Sequence, residues 1–156
     1  MVEKELEELE EYILFLVKQS KKHTPTEMIL GNIPHSTIIN FNYGLYKNPL
    51  GINSTTLKKI VERIDELEKN TNYYRTLCEY IEKFVEKNIM VGSISYLTRE
   101  MGLNYTTLHK LKDYKLTTPY RLITLKKYAQ KIENEEGENN YGNSKWFFKD
   151  LYTWRL

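Results

Sequence analysis

Little in this chain suits covalent chemistry. It holds a single cysteine, Cys78, which excludes an internal disulfide, and on a helical stretch that residue is expected to fill core space. Its only histidines are His23, His35 and His109. Neither their spacing nor their distance in sequence from Cys78 matches a metal-ligand pattern, so neither metal nor cofactor is expected. A glycine-rich phosphate loop, a nucleophile elbow and a convincing carboxylate pair are all missing, and an enzyme is not expected. No apolar run approaches the roughly 18 residues of a membrane span. The opening stretch, MVEKELEELEE, has the wrong charge for a secretory leader. These absences point to a cytoplasmic protein that does not engage a membrane. Acid is missing too: no Asp or Glu occurs between Glu27 and Glu62, and over residues 103–131 seven bases accompany one acid, Asp113.

What the chain does have is a second copy of itself. Residues 33–60, IPHSTIINFNYGLYKNPLGINSTTLKKI, align with residues 103–128, LNYTTLHKLKDYKLTTPYRLITLKKY. Thr37 falls on Thr107, Ile38 on Leu108, Phe41 on Leu111 and Pro49 on Pro119, 70 residues apart. The second copy then lacks two residues, and Thr56-Leu57-Lys58-Lys59 falls on Thr124-Leu125-Lys126-Lys127 at a spacing of 68. Glu11-Tyr12-Ile13 and Glu79-Tyr80-Ile81 keep that spacing upstream. Two copies fall short of the three or so that a solenoid needs, so each is expected to have its own small core. The expected organisation is a first domain over 1–70, a second over 71–134, and a polar connector with an aromatic C-terminal segment over 135–156. Domains this small are marginal alone and are expected to pack on each other.

The periodicity is helical, and the expected fold class is all-α. Leu6, Leu9, Ile13, Leu16 and Val17 form one apolar stripe, with six glutamates among residues 3–11 on the solvated side. Leu57, Ile60, Val61, Ile64 and Leu67 form a second, Tyr74, Leu77, Ile81, Phe84 and Val85 a third, and Leu122, Leu125, Ala129 and Ile132 a fourth. The net charge of +2 hides segregation. Residues 1–70 carry 9 Lys/Arg against 11 Asp/Glu, residues 71–133 carry 11 against 6, and residues 134–156 carry 3 against 4. The two repeated segments are thus the acid-poor parts, as a surface that approaches phosphates requires.

Within the second copy, SISYLTREMGLNYTTLHKLKDYK over 93–115 has the pattern of two short helices joined by a tight turn. Leu97 and Met101 face inward from the first helix, Gly102 takes a positive φ, Leu103 plugs the corner, and Asn104 caps a second helix with Leu108 and Leu111 inward. Tyr105, Thr106, His109 and Lys110 are left outward. Here the chain resembles the phage-repressor-type (XRE-like) helix-turn-helix family. The first copy resembles it through Ser36-Thr37-Ile38, Phe41, Tyr43-Gly44 and Lys47-Asn48-Pro49. Together the resemblances cover roughly residues 24–67 and 91–132. There are two departures. The first turn is one residue longer than the family pattern if Gly31 is its glycine, and Tyr114 stands where the family has glycine.

The resemblance implies base-reading positions at His35, Ser36 and Asn40 in the first copy and at Tyr105, Thr106, His109 and Lys110 in the second. It implies backbone contacts from Tyr43, Lys47, Lys112 and Lys115, with Thr37 and Thr107 reaching either a phosphate or their own backbone. The expected protein binds double-stranded DNA in a sequence-specific way, as a covalent pseudo-dimer on an asymmetric operator, and represses transcription by occluding a promoter. One alternative is a plasmid or viral replication or partition factor. Another is a protein-interaction module on the same scaffold, served by Trp146, Phe147, Phe148, Leu151, Tyr152 and Trp154, which are expected either to fold back over the domains or to mediate self-association. In bland readings, Tyr43 and Tyr105 are surface aromatics, and Lys126 and Lys127 lie on a solvated helix face.

Overall fold

The four apolar stripes become four long helices, each with its stripe turned inward. The computed structural model describes the backbone of residues 2–142 and the side chains of residues 3–135. Over that range the chain is mostly helical: α1 (Val2–Lys21), α2 (Pro25–Ile29), α3 (His35–Gly44), α4 (Ser54–Glu68), α5 (Tyr73–Asn88), α6 (Ile94–Met101), α7 (Tyr105–Leu111) and α8 (Ile123–Gly142). The long helices α1, α4, α5 and α8 carry the four stripes. Short helices fill the intervals, α2 and α3 in the first half and α6 and α7 in the second. No strand forms among the described residues, only an isolated bridge between Asn53 and Arg121.

The stripes meet in one connected core. Leu9, Ile13, Leu16 and Val17 of α1, Leu57, Ile60 and Ile64 of α4, Leu77, Ile81 and Phe84 of α5, and Leu122, Leu125 and Ala129 are fully buried. Each large apolar side chain so placed contributes roughly 1.5–3 kcal/mol. The most extensive helix pairing is α1 with α5. These helices run antiparallel, with Glu5 near Lys87 and Lys83 paired to Glu8 at 3.1 Å.

Several contacts between the halves either join equivalent residues or occur as reciprocal pairs. The Ser54 N–H donates to the Tyr120 carbonyl at 2.8 Å, and the Leu122 N–H donates to the Ile52 carbonyl at 3.0 Å. In the 68-residue register, Ser54 corresponds to Leu122 and Ile52 to Tyr120. Asn53 lies opposite its own equivalent, Arg121. On α1 and α5 the equivalent rings of Tyr12 and Tyr80 meet at 4.8 Å. The Glu5–Lys87 contact is mirrored by Tyr73 and Gln19, whose side chains are 3.5 Å apart. Reciprocal contacts of this kind are the signature of a two-fold relation; a translation from one copy to the next would not produce them. The quasi-two-fold axis therefore passes by the Tyr12–Tyr80 pair and the Asn53–Arg121 bridge. Ser54, fully buried, adds an asymmetric lock: its hydroxyl donates to the Thr118 carbonyl at 2.9 Å and accepts from the Tyr120 N–H at 3.0 Å.

The chain breaks between α4 and α5 because the first turn of α5 is capped from outside. Lys69 takes a positive φ of 65°. The Asp65 carboxylate then accepts from the backbone N–H groups of Tyr73 and Tyr74 at 2.9 and 3.0 Å and from the Thr71 hydroxyl at 2.6 Å. At the other end of the chain, α8 continues through the polar stretch expected to be a connector as far as Gly142; that stretch has no proline to stop it. The aromatic segment with Trp146, Phe147, Phe148, Leu151, Tyr152 and Trp154 lies outside the described residues.

Candidate functional site

The turn from α6 to α7 is built from local chemistry. Ser93 caps α6 by accepting the Tyr96 N–H at 3.0 Å. Gly102 ends the helix in the left-handed region at φ 69°, where a side chain would be strained even though the space around it is open. The Leu103 N–H returns to the Leu97 carbonyl at 3.2 Å, and the Leu103 side chain is buried. The Asn104 side chain accepts the Thr107 N–H at 2.9 Å, and the Asn104 N–H donates to the Tyr128 hydroxyl, tying the start of α7 to α8. With Leu108 and Leu111 fully buried, Tyr105, Thr106 and His109 face solvent, while Lys110 and Thr107 are half-buried. Tyr105 and His109, one turn apart, stack edge-to-face at 4.5 Å and so present one aromatic unit.

On α3, Ile38, Phe41 and Asn42 point inward and His35, Ser36, Ile39, Asn40 and Tyr43 point outward. Thr37 is half-buried. The helix has no side-chain N-cap, since Pro34 occupies that position. It is fastened instead by the fully buried Ser20 hydroxyl, which donates to the Asn42 side chain at 2.7 Å. The preceding α2 opens with a capping box: the Thr24 side chain accepts the Glu27 N–H, and the Glu27 carboxylate accepts the Thr24 N–H. The bond from the Thr24 N–H is what holds the Glu27 carboxyl below its ordinary value.

Two glycines, Gly31 and Gly44, do not take a positive φ. The positive φ in the first turn belongs to Asn32, at 63°, and Gly31 instead makes room for the Arg63 side chain, whose Cδ would lie 2.8 Å from a Cβ. Asn is among the few residues that accept this backbone at modest cost. Gly44, which the resemblance places at the exit of the helix, is the last residue of α3. In the second copy, where Tyr114 stands at the position that the resemblance gives to glycine, the left-handed residue is Leu116, at φ 60°, and the Tyr114 hydroxyl donates to the Glu86 carboxylate.

The charge of the stretch that contains α7 is strongly biased in sequence, although Glu79 and Glu82 of α5 share a depression with Lys112 and Lys115. Asp113, the lone acid of that stretch, spends its carboxylate on the N–H groups of Lys115, Thr117 and Thr118 and on the Thr117 hydroxyl. Partial burial alone would raise its pKa, but the bonds from Thr117 and Thr118 outweigh it and hold the carboxyl below its ordinary value. Lys112 and Lys115 are exposed, and neither they nor Lys110, Arg121, Lys126 and Lys127 form an ion pair among the described residues. Around α3 the cations are fewer and more engaged. Lys47 is exposed, but Lys58 pairs with Glu62 and Arg63 with Glu66, each at 3.1 Å. Lys21, which sequence reasoning passed over, lies 4.8 Å from the Tyr43 ring centre and 4.5 Å from that of Tyr46. It also donates to the Tyr46 hydroxyl at 2.8 Å.

Among the described residues no group of three or more His, Cys, Asp or Glu side chains could hold a metal. Cys78 is half-buried rather than in the core, on the wall of an open depression of about 410 Å³ shared with Arg75, Lys112 and Asp113; burial pushes its thiol pKa up. No described helix is long and apolar enough to cross a membrane. Comparison with protein-family models, curated proteins and solved structures returns no match.

Proposed function

We propose that this chain is a sequence-specific double-stranded DNA-binding protein that regulates transcription, acting in the cytoplasm as a covalent pseudo-dimer of two helix-turn-helix units, 1–70 and 71–134. The observation that carries the reading is the combination found at α7. A glycine turn and an asparagine cap aim a short helix outward, the exposed face holds donors and acceptors suited to base edges, and the one acid of the stretch 103–131 is turned into backbone bonds. In this reading α3 and α7 enter successive major grooves. His35, Ser36, Asn40, Tyr105, Thr106, His109 and Lys110 meet bases, while Thr37, Tyr43, Lys47, Thr107, Lys112 and Lys115 meet the backbone. The reciprocal contacts between the halves favour half-sites in inverted orientation, and the different sequences of α3 and α7 make the operator asymmetric.

Fluorescence anisotropy with random-sequence duplex DNA at several salt concentrations, beside a single-stranded control, tests this. The expected outcome is duplex-preferring binding whose log affinity falls with log salt by about 0.9 per phosphate contact. Absence of duplex binding at low salt overturns it.

A further inference from the structure

The two outward faces are not chemically alike. Where α7 presents His109, the equivalent residue of α3 is Ile39. Ile39 is 36% exposed on a helix whose other outward residues are polar or aromatic. The core does not need it there, because Ile38 and Phe41 already fill the inward face of the helix. It stands between Ser36 and Asn40 on the face that would meet base edges, in a stretch without acid from residue 28 to residue 61. The helix itself contains no Lys or Arg; just beyond it Lys47 is exposed and without an ion pair among the described residues, while Lys21 is held by two tyrosines and Lys58 by Glu62. Around α7, by contrast, Lys110, Lys112 and Lys115 are free of ion pairs among the described residues.

Resting on the DNA reading above, we infer that the two halves divide the work. Ile39 reads the 5-methyl group of a thymine in the half-site under α3, and the charge that anchors the complex comes mainly from the α7 side. An outward aliphatic side chain in a major groove has one apolar partner there, the thymine methyl. Neighbouring Asn40, able to pair in bidentate fashion with adenine, gives this half-site a preference for A·T pairs.

The test starts from a duplex selected out of random sequence. The α3 half-site is the one whose base preferences survive Lys110→Ala. Each thymine in it is then replaced by deoxyuridine, which removes only the methyl. At one position the wild-type protein is expected to lose about fourfold in affinity, the equivalent of one buried methyl-sized group. Ile39→Ala is expected to lose a similar factor on the thymine duplex, to be indifferent to uracil at that position, and to keep the wild-type salt slope. Ile39→Val is expected to retain the uracil sensitivity. Lys112→Ala with Lys115→Ala is expected to flatten the salt slope by about two phosphate contacts, against about one for Lys47→Ala. Wild-type indifference to uracil throughout the α3 half-site overturns the inference, as does an Ile39→Ala variant that stays sensitive. Either result leaves DNA binding standing, whereas failure to bind any duplex removes the reading on which the inference rests.

Discussion

α3 and α7 hold equivalent places in the two halves of the chain, and they are kept there by different means. α3 is ten residues long, lacks a side-chain cap and is fastened to α1 by the buried Ser20–Asn42 bond. α7 is seven residues long, starts on an asparagine cap behind a left-handed glycine, and ends on the Asp113 knot. The position equivalent to Asn42 is Lys112, which is exposed and makes no such bond. One helix is fastened by a side-chain bond 22 residues away in sequence, the other mostly by bonds close to its ends, with the Asn104–Tyr128 bond to α8 as its long-range addition. The two halves therefore share an arrangement while the chemistry that maintains it differs.

The sharpest way to break this comparison is Asn42→Ala. It leaves the Ser20 hydroxyl buried without its partner and opens a small void, at an expected cost of about 2–3 kcal/mol. Urea unfolding gives the size of the loss, and amide hydrogen exchange gives its place. Protection in α3 should fall well before protection in α7. If both fall together, the shared core governs both helices and the difference in fastening is of no consequence.

The same difference decides how much could be read from sequence. The four stripes from Leu6 to Ile132 were legible because burial on one side of a helix imposes a period that no tertiary detail alters. The turn at Gly102 and the cap at Asn104 were legible because their bonds close within three to six residues. In the first turn the left-handed residue is Asn32, whereas the extra residue counted there is conditional on Gly31 being the turn glycine, glycine being the commoner choice. Ser20 with Asn42, Tyr12 with Tyr80 and Asn53 with Arg121 are long-range pairs, and nothing within either partner's own stretch announces them. Ile39 was passed over because the family pattern draws attention to polar residues, and its exposure is evident only once α3 is oriented by Phe41 and Asn42. Cys78, expected in the core, falls on the edge of its stripe and is half-buried.

A somewhat smaller effect is expected at the other end of α7. Asp113→Ala removes the acceptor for three backbone N–H groups and a hydroxyl, at a cost of about 2 kcal/mol after solvent screening. The Asp113 carboxyl lies below its ordinary value in the folded protein, so its contribution is fully present above the unfolded pKa, near 3.8, and is lost as pH falls through the lower folded value. Between neutral pH and strong acid, the stability difference between the wild type and Asp113→Ala should shrink by the part that the charge contributes. Glu27 at α2 and Glu5 on α1 are also held low, so the wild type keeps other acid-sensitive points, and only the difference between the two proteins isolates Asp113. A difference that stays constant with pH would mean that the knot is held by its backbone shape rather than by the charge.

The smallest effect concerns the cap. Asn104→Ala should cost about 1 kcal/mol, and Asn104→Ser should recover most of it, because a serine oxygen can accept the same Thr107 N–H. Exchange should increase at the start of α7 and leave α3 unchanged, the converse of Asn42→Ala. The cap has one competitor for the role of fastening: the Tyr128 hydroxyl accepts the Asn104 N–H, a backbone bond that the alanine variant keeps. If Asn104→Ala is neutral and Tyr128→Phe costs the kilocalorie instead, then α7 is anchored to α8 much as α3 is anchored to α1. The two halves would then share tertiary fastening after all, and the contrast between them would be one of sequence pattern rather than of mechanism.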